Sequence, residues 1–165
     1  MNVEELRAAQ APLKARYKTD PGAALVKLQA HGSAEAPAQI CRVETNLGVV
    51  EAGLHPATGG DGRKACSGDM LLQALVACAG VTLGAVATAM GVTLRSARIR
   101  AEGEVDFRGT LGVARDAPVG FRNIRLHFEL DSDAEPGTVA KLLELTERYC
   151  VVYQTLKHAP ALARD

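Results

Sequence analysis

An excess of either charge is the first thing this 165-residue sequence lacks: 19 Lys and Arg balance 19 Asp and Glu. A balanced chain has no bulk field to draw in nucleic acid or an anionic lipid surface, so neither is expected as a partner. The opening MNVEELRAAQAPLKARYKTD holds no apolar core of the kind a secretory leader carries, which points to the cytoplasm. Thiols there stay reduced, and a disulfide is more often part of a reaction than a staple. The four cysteines, Cys41, Cys66, Cys78 and Cys150, form no C-x-x-C pair and have no histidine at zinc-finger spacing. Neither a metal nor a cofactor is expected on that pattern. The Gly-rich loop HPATGGDGRK (55–64) also lacks the strand–loop–helix setting of a phosphate cradle. No internal repeat is visible, and the length suits one ordinary domain.

What the chain does have is ACSGDMLLQALVACAGVTLGAVATAMGV (65–92), whose one charge is Asp69. From Met70 to Leu94 there are 25 uncharged residues, enough in length to cross a bilayer. The segment is rich in Ala, however, with Gln73, three threonines and three glycines, and no aromatic belt or basic cluster flanks it. A helix buried inside a soluble protein fits better, since a uniformly apolar helix must be covered on all sides. Ser67 is a suitable N-cap, Asp69 suits the first turn, and Gly91 suits the stop.

Around this helix the pattern is that of sheet. Residues 3–16 read as a surface helix ended by TDPG (19–22), AALVKLQA (23–30) as a strand, and HGSAEAP (31–37) as a loop. AQICRVET (38–45) and VVEAGL (49–54) read as a hairpin turned at NLG. RSARIRAEGEVDFR (95–108) and residues 123–130 alternate apolar and polar side chains, the mark of antiparallel strands with one wet face. Val139, Leu142, Leu143, Thr146 and Tyr149 follow helical spacing, after which VVYQTL (151–156) reads as a short strand. The expected fold is therefore α+β, antiparallel sheet with helices packed on it. One sheet cannot cover a helix apolar all round, so a homodimer is expected to complete the burial.

Cys78 lies about three turns into the long helix, beyond the reach of that helix's own N-terminal dipole. Flanked by Ala77 and Ala79, it reads by itself as a packing residue whose pKa burial would raise. A reactive thiol there needs a cation to hold the thiolate and a second thiol to resolve its oxidised form. Arg63 or Lys64 can supply the first and Cys150 the second.

Two motifs carry a resemblance. SGDMLLQALVACAGVTL (67–83) resembles the central-helix motif of the OsmC/Ohr family, that is, osmotically inducible protein C and organic hydroperoxide resistance protein. ERYCVVYQTL (147–156) resembles its second motif, a cysteine after the last helix. The order of elements is similar over 23–165, with residues 1–22 a helical extension. The resemblance implies antiparallel sheets wrapped around buried central helices in an intertwined homodimer. It further implies reduction of organic hydroperoxides by a peroxidatic cysteine, matched by Cys78, with a resolving cysteine matched by Cys150. A dithiol or small thiol would restore the pair. The family's glutamate, about ten residues before the first cysteine, corresponds to Gly68; Asp69, next to it, is the substitute. The activating arginine is assigned to Arg63, with Arg42 on an upstream strand as second choice. Val151 stands where proline commonly follows the second cysteine, and Cys66 is an extra thiol beside the helix start. The alternative expectation is the same fold as a non-catalytic binder of small apolar molecules, with Cys78 as packing.

Overall fold

A computed structural model describes residues 1–164, which fall into two compact units. One holds Met1–Val26, Ala74–Arg100 and the chain from His127 on; the other holds Lys27–Gln73 and Ala101–Leu126.

In the first unit, α1 (Val3–Thr19) starts at a capping box in which Asn2 and Glu5 satisfy each other's backbone N–H groups. The greater part of α2 (Ser67–Met90) follows in this unit. Its end is a Schellman turn, with the Gly91 N–H on the Thr88 carbonyl and the Val92 N–H on the Ala87 carbonyl. Gly91 has φ +70°, a conformation that a Cβ would strain. Leu75, Ala79, Leu83 and Ala87, spaced four apart, are the buried stripe of α2. Leu83 and Ala87 meet Leu142 of α4 (Pro136–Tyr149), and Ile99, Phe128 and Leu130 pack against this core from the strands. α5 (Val151–Lys157) closes the unit.

The expected all-round burial of α2 is not met within one chain. Val81 is 77% exposed, and Ala74, Ala77 and Gly84 on the same side are open as well. α2 is long and apolar enough to cross a membrane by length and composition.

The second unit is built on a three-stranded antiparallel meander, β1 (Gly32–Glu35), β2 (Ile40–Thr45) and β3 (Gly48–Ala52). The hairpin read at NLG is present, and its turn is pinned by the Thr45 hydroxyl on the Gly48 carbonyl at 2.6 Å. Arg42 bridges Glu35 and Glu51, and Lys64 pairs with Glu51. These cations hold the Glu51 carboxyl below the usual carboxylate range, Lys64 contributing most. A parallel bridge between Ala52 and Ala65 ties the loop before α2 to β3.

The two long alternating strands are β4 (Ser96–Val105) and β5 (Phe121–Asp131), joined through the one-turn helix α3 (Phe107–Thr110). Arg95 pairs with Asp131 near one end and Asn123 with Glu104 near the other, so the pair is antiparallel. Ile124, Leu126, Phe128 and Leu130 are half-buried while Asn123, Arg125 and Glu129 are exposed, as the alternation requires. The Phe121 ring lies over Gly103, where a Cβ would come within 2.6 Å of it.

Three readings of the sequence are corrected. The strand expected at 23–30 does not form: a 3-10 turn, Pro21–Ala24, takes its first two residues and leads into irregular chain in which Leu25 and Leu28 are 85% and 86% exposed. Their apolar pattern has no strand beside it among the described residues, and the first strand is Gly32–Glu35, inside the expected loop. VVYQTL is helical, because Cys150 breaks α4 with an extended backbone and its thiol then caps α5. Ser67 opens α2 rather than capping it, since the Cys66 carbonyl takes the first-turn N–H of Met70 at 2.9 Å.

Candidate functional site

Cys78 sits in the middle of α2, one residue before buried Ala79, and is half-buried. Cys150 lies between α4 and α5 and is 1% exposed. Both are free thiols, and a hydrogen bond joins their side chains. The chain is broken at Cys150 for a local reason. Its N–H makes the last α4 bond, to the Thr146 carbonyl at 2.9 Å, and its ψ of 109° then leaves helical space. The Cys150 sulfur accepts the N–H of Tyr153 at 3.5 Å and starts α5.

The two thiols are driven in opposite directions. Burial pushes the Cys78 thiol up, but hydrogen bonds from the Val152 N–H, the Cys150 thiol, the Val151 N–H and the Thr82 hydroxyl outweigh it. The result is a Cys78 pKa below the ordinary thiol value. At Cys150, burial raises the pKa, the Tyr153 N–H opposes this, and the hydrogen bond and charge of Cys78 raise it further. When the pair gives up its first proton, the charge therefore settles on Cys78 and Cys150 stays protonated.

None of these influences is a cation. The sequence argument that only a cation could hold a mid-helix thiolate missed the backbone donors, Val151 and Val152, and the hydroxyl of Thr82. Thr82 was accessible to sequence reasoning, being one helical turn from Cys78. The two amides were not, because their release depends on the break at Cys150.

The remaining predicted residues lie in the other unit. Arg63 is 84% exposed, with Nε 3.8 Å from the Asp61 carboxylate. Asp69 stands exposed in the first turn of α2, and Gly68 lies beside the Phe121 ring. Arg42 and Lys64 are engaged with Glu35 and Glu51, and Cys41 and Cys66 are half-buried free thiols. Among the described residues no cluster of three or more His, Cys, Asp or Glu side chains is placed to hold a metal.

Thr82 also lines a cavity of about 560 Å³ with Leu6, Gln10 and Lys14 of α1, Val86 of α2 and Tyr149 of α4. Its walls are mainly apolar, and its size suits a small organic molecule.

Among solved structures the chain is similar to an OsmC-like protein from Mycoplasma pneumoniae, with 18% identity, 81% of this chain and 89% of that chain covered, and a TM-score of 0.67. It is also similar to an organic hydroperoxide resistance protein OsmC from Legionella pneumophila, at 14% identity, 81% and 93% coverage, and a TM-score of 0.62. The organic hydroperoxide resistance protein OhrB of Bacillus subtilis follows at 13% identity, 81% and 93% coverage, and a TM-score of 0.54. At these identities the likeness is one of fold. A comparison with curated protein sequences gives no significant match. The model of the family described as OsmC-like protein matches residues 60–163, a span that takes in both Cys78 and Cys150, and the chain belongs to that family.

Proposed function

We propose that this protein reduces organic hydroperoxides, with Cys78 as the attacking thiolate and Cys150 as the resolving thiol. The observation that carries the reading is the hydrogen-bonded pair of free thiols whose acidities are pushed apart, Cys78 down and Cys150 up. The Cys78 sulfur attacks the terminal oxygen of R–O–OH; the S–O bond forms as the O–O bond breaks. The alkoxide leaves as ROH after taking the proton of the Cys150 S–H. Cys78 is then a sulfenic acid. The Cys150 thiolate left behind attacks the Cys78 sulfur, an S–S bond forms as the S–O bond breaks, and the departing hydroxide becomes water by taking from solvent the proton Cys78 gave up on ionising. An external dithiol or small thiol reduces the disulfide by exchange. The apolar cavity beside Thr82 favours a substrate with an organic tail over hydrogen peroxide.

Arg63, 84% exposed, is the first candidate for a guanidinium that steadies the thiolate, with Asp69 as the acid that orients it. The working form is a cytoplasmic homodimer in which a second copy covers Ala77, Val81 and Gly84 of α2. That burial also accounts for the apolar length of α2 without a membrane.

A binding module is the competing reading. Gly68 at the family's glutamate position, and the absence of a cation among the groups acting on Cys78, favour it. Anaerobic mixing with cumene hydroperoxide and a dithiol separates the two. Peroxide consumption that stops in Cys78→Ser supports the peroxidase; ligand binding without consumption supports the binder.

A further inference from the structure

The corner between α4 and α5 accounts for the two backbone donors on Cys78. In a helix that continued, the Val151 N–H would bond the Glu147 carbonyl four residues back. The extended Cys150 prevents this, and the Glu147 carbonyl receives a substitute: Nε2 of Gln154 donates to it at 2.8 Å. The carboxylate of the same glutamate accepts the Tyr153 hydroxyl at 3.1 Å. Glu147 is thus gripped at both its ends by consecutive residues of α5. The peptides released across the break, at Val151 and Val152, are those that donate to the Cys78 sulfur.

We propose that Gln154 and Tyr153, acting through Glu147, are positioning residues that hold the N–H groups of Val151 and Val152 on the Cys78 sulfur. The inference rests on the reading of Cys78 as the reacting thiol. Neither side chain is among the groups that act on that sulfur; what they fix is the angle at which α5 leaves α4. Hydrogen bonds weaken steeply with misalignment, so a small rotation of this corner withdraws both donors together. Tyr153 is suited to the task because burial and the neighbouring Glu147 carboxylate raise its pKa, keeping the hydroxyl a donor through the working range. The side chains whose hydrogen bonds act on Cys78 are Cys150 from this corner and Thr82 from its own helix, and neither is a cation.

The test is the pH dependence of iodoacetamide alkylation of Cys78 in the full chain, followed peptide by peptide. Gln154→Met and Tyr153→Phe are each expected to raise the midpoint by about half to one pH unit, slowing alkylation at neutral pH roughly three- to tenfold. Glu147→Gln keeps an acceptor for Tyr153 and the carbonyl for Gln154, so it is expected to retain the wild-type midpoint. Midpoints that stay put in both variants while thermal stability falls would overturn the proposal, leaving the residues structural. If Gln154→Met does not fold, Tyr153→Phe decides alone, since it removes a single oxygen. Alkylation needs no peroxide, so a shifted midpoint without peroxide turnover would count against the peroxidase and not against this corner.

Discussion

The Cys78 and Cys150 thiols are hydrogen-bonded to each other, one from the middle of a 24-residue helix and one from the single non-helical residue between two others. That contact makes the pair an acid–base couple before any substrate arrives. It stabilises a thiolate on the more accessible sulfur and a proton on the buried one.

A disulfide between them is the first expected consequence, because disulfide geometry asks for Cα atoms about 4.4–6.8 Å apart and thiols already in contact need little movement. One equivalent of cumene hydroperoxide should remove two free thiols and leave Cys41 reduced, as read by thiol counting and peptide mapping. Cys150→Ser should trap a sulfenic acid on Cys78 that overoxidises with excess peroxide. A bridge through Cys66 instead would relocate the chemistry to the loop before α2.

The pH profile follows from the signs of the two shifts. Alkylation of Cys78 should rise through a midpoint below that of an ordinary free thiol, and that of Cys150 only above it. Stability responds in two windows. Below the ordinary thiol value the folded chain holds fewer protons at Cys78 than the unfolded one, so stability increases with pH and is lost as pH falls through the Cys78 midpoint. Above it the unfolded chain loses the Cys150 proton first, so stability declines as pH climbs towards the raised Cys150 midpoint. Thermal melts across neutral to alkaline pH should show the decline weakened in Cys150→Ser; an unchanged alkaline slope would reject this assignment.

Gly84 distinguishes a covered α2 from an open one. In the single chain a Cβ at Gly84 meets nothing within 4 Å, so Gly84→Leu in a monomer should gain helix propensity, roughly 0.5–1 kcal/mol. Against a second copy the same side chain overpacks, costing ~1–3 kcal/mol. Urea melts give the sign, and sedimentation at micromolar concentration gives the mass. A stabilised, monodisperse monomer would end the dimer reading.

Arg63→Ala should slow alkylation of Cys78 at neutral pH with little loss of stability, because the side chain is mostly solvated and its ion pair with Asp61 is exposed. Equal labelling rates in the two proteins would exclude Arg63 as the activator and pass the test to Arg42. In Arg42→Ala, loss of the bridge between Glu35 and Glu51 should also lower the melting temperature.

Periodicity and punctuation in the sequence were enough to define α2 and its Gly91 stop, the hairpin of β2 and β3, the alternating β4 and β5, and the amphipathic α4. Each is a local pattern in which side-chain spacing and a turn or cap residue agree. The family motifs were legible for the same reason, as short runs around Cys78 and Cys150. What sequence alone could not determine is anything that depends on a partner from elsewhere in the chain. Residues 25–30 have the composition of a strand, yet a strand forms only where another lies alongside, and none does among the described residues. Residues 151–156 have it too, but one thiol at Cys150 supplies the cap that makes them helical. The acidity of Cys78 is the clearest case. Its donors are backbone N–H groups at Val151 and Val152, and backbone amides are identical in every non-proline residue. Which of them is freed, and where it points, was decided by the break at Cys150 and the packing of that corner against α2.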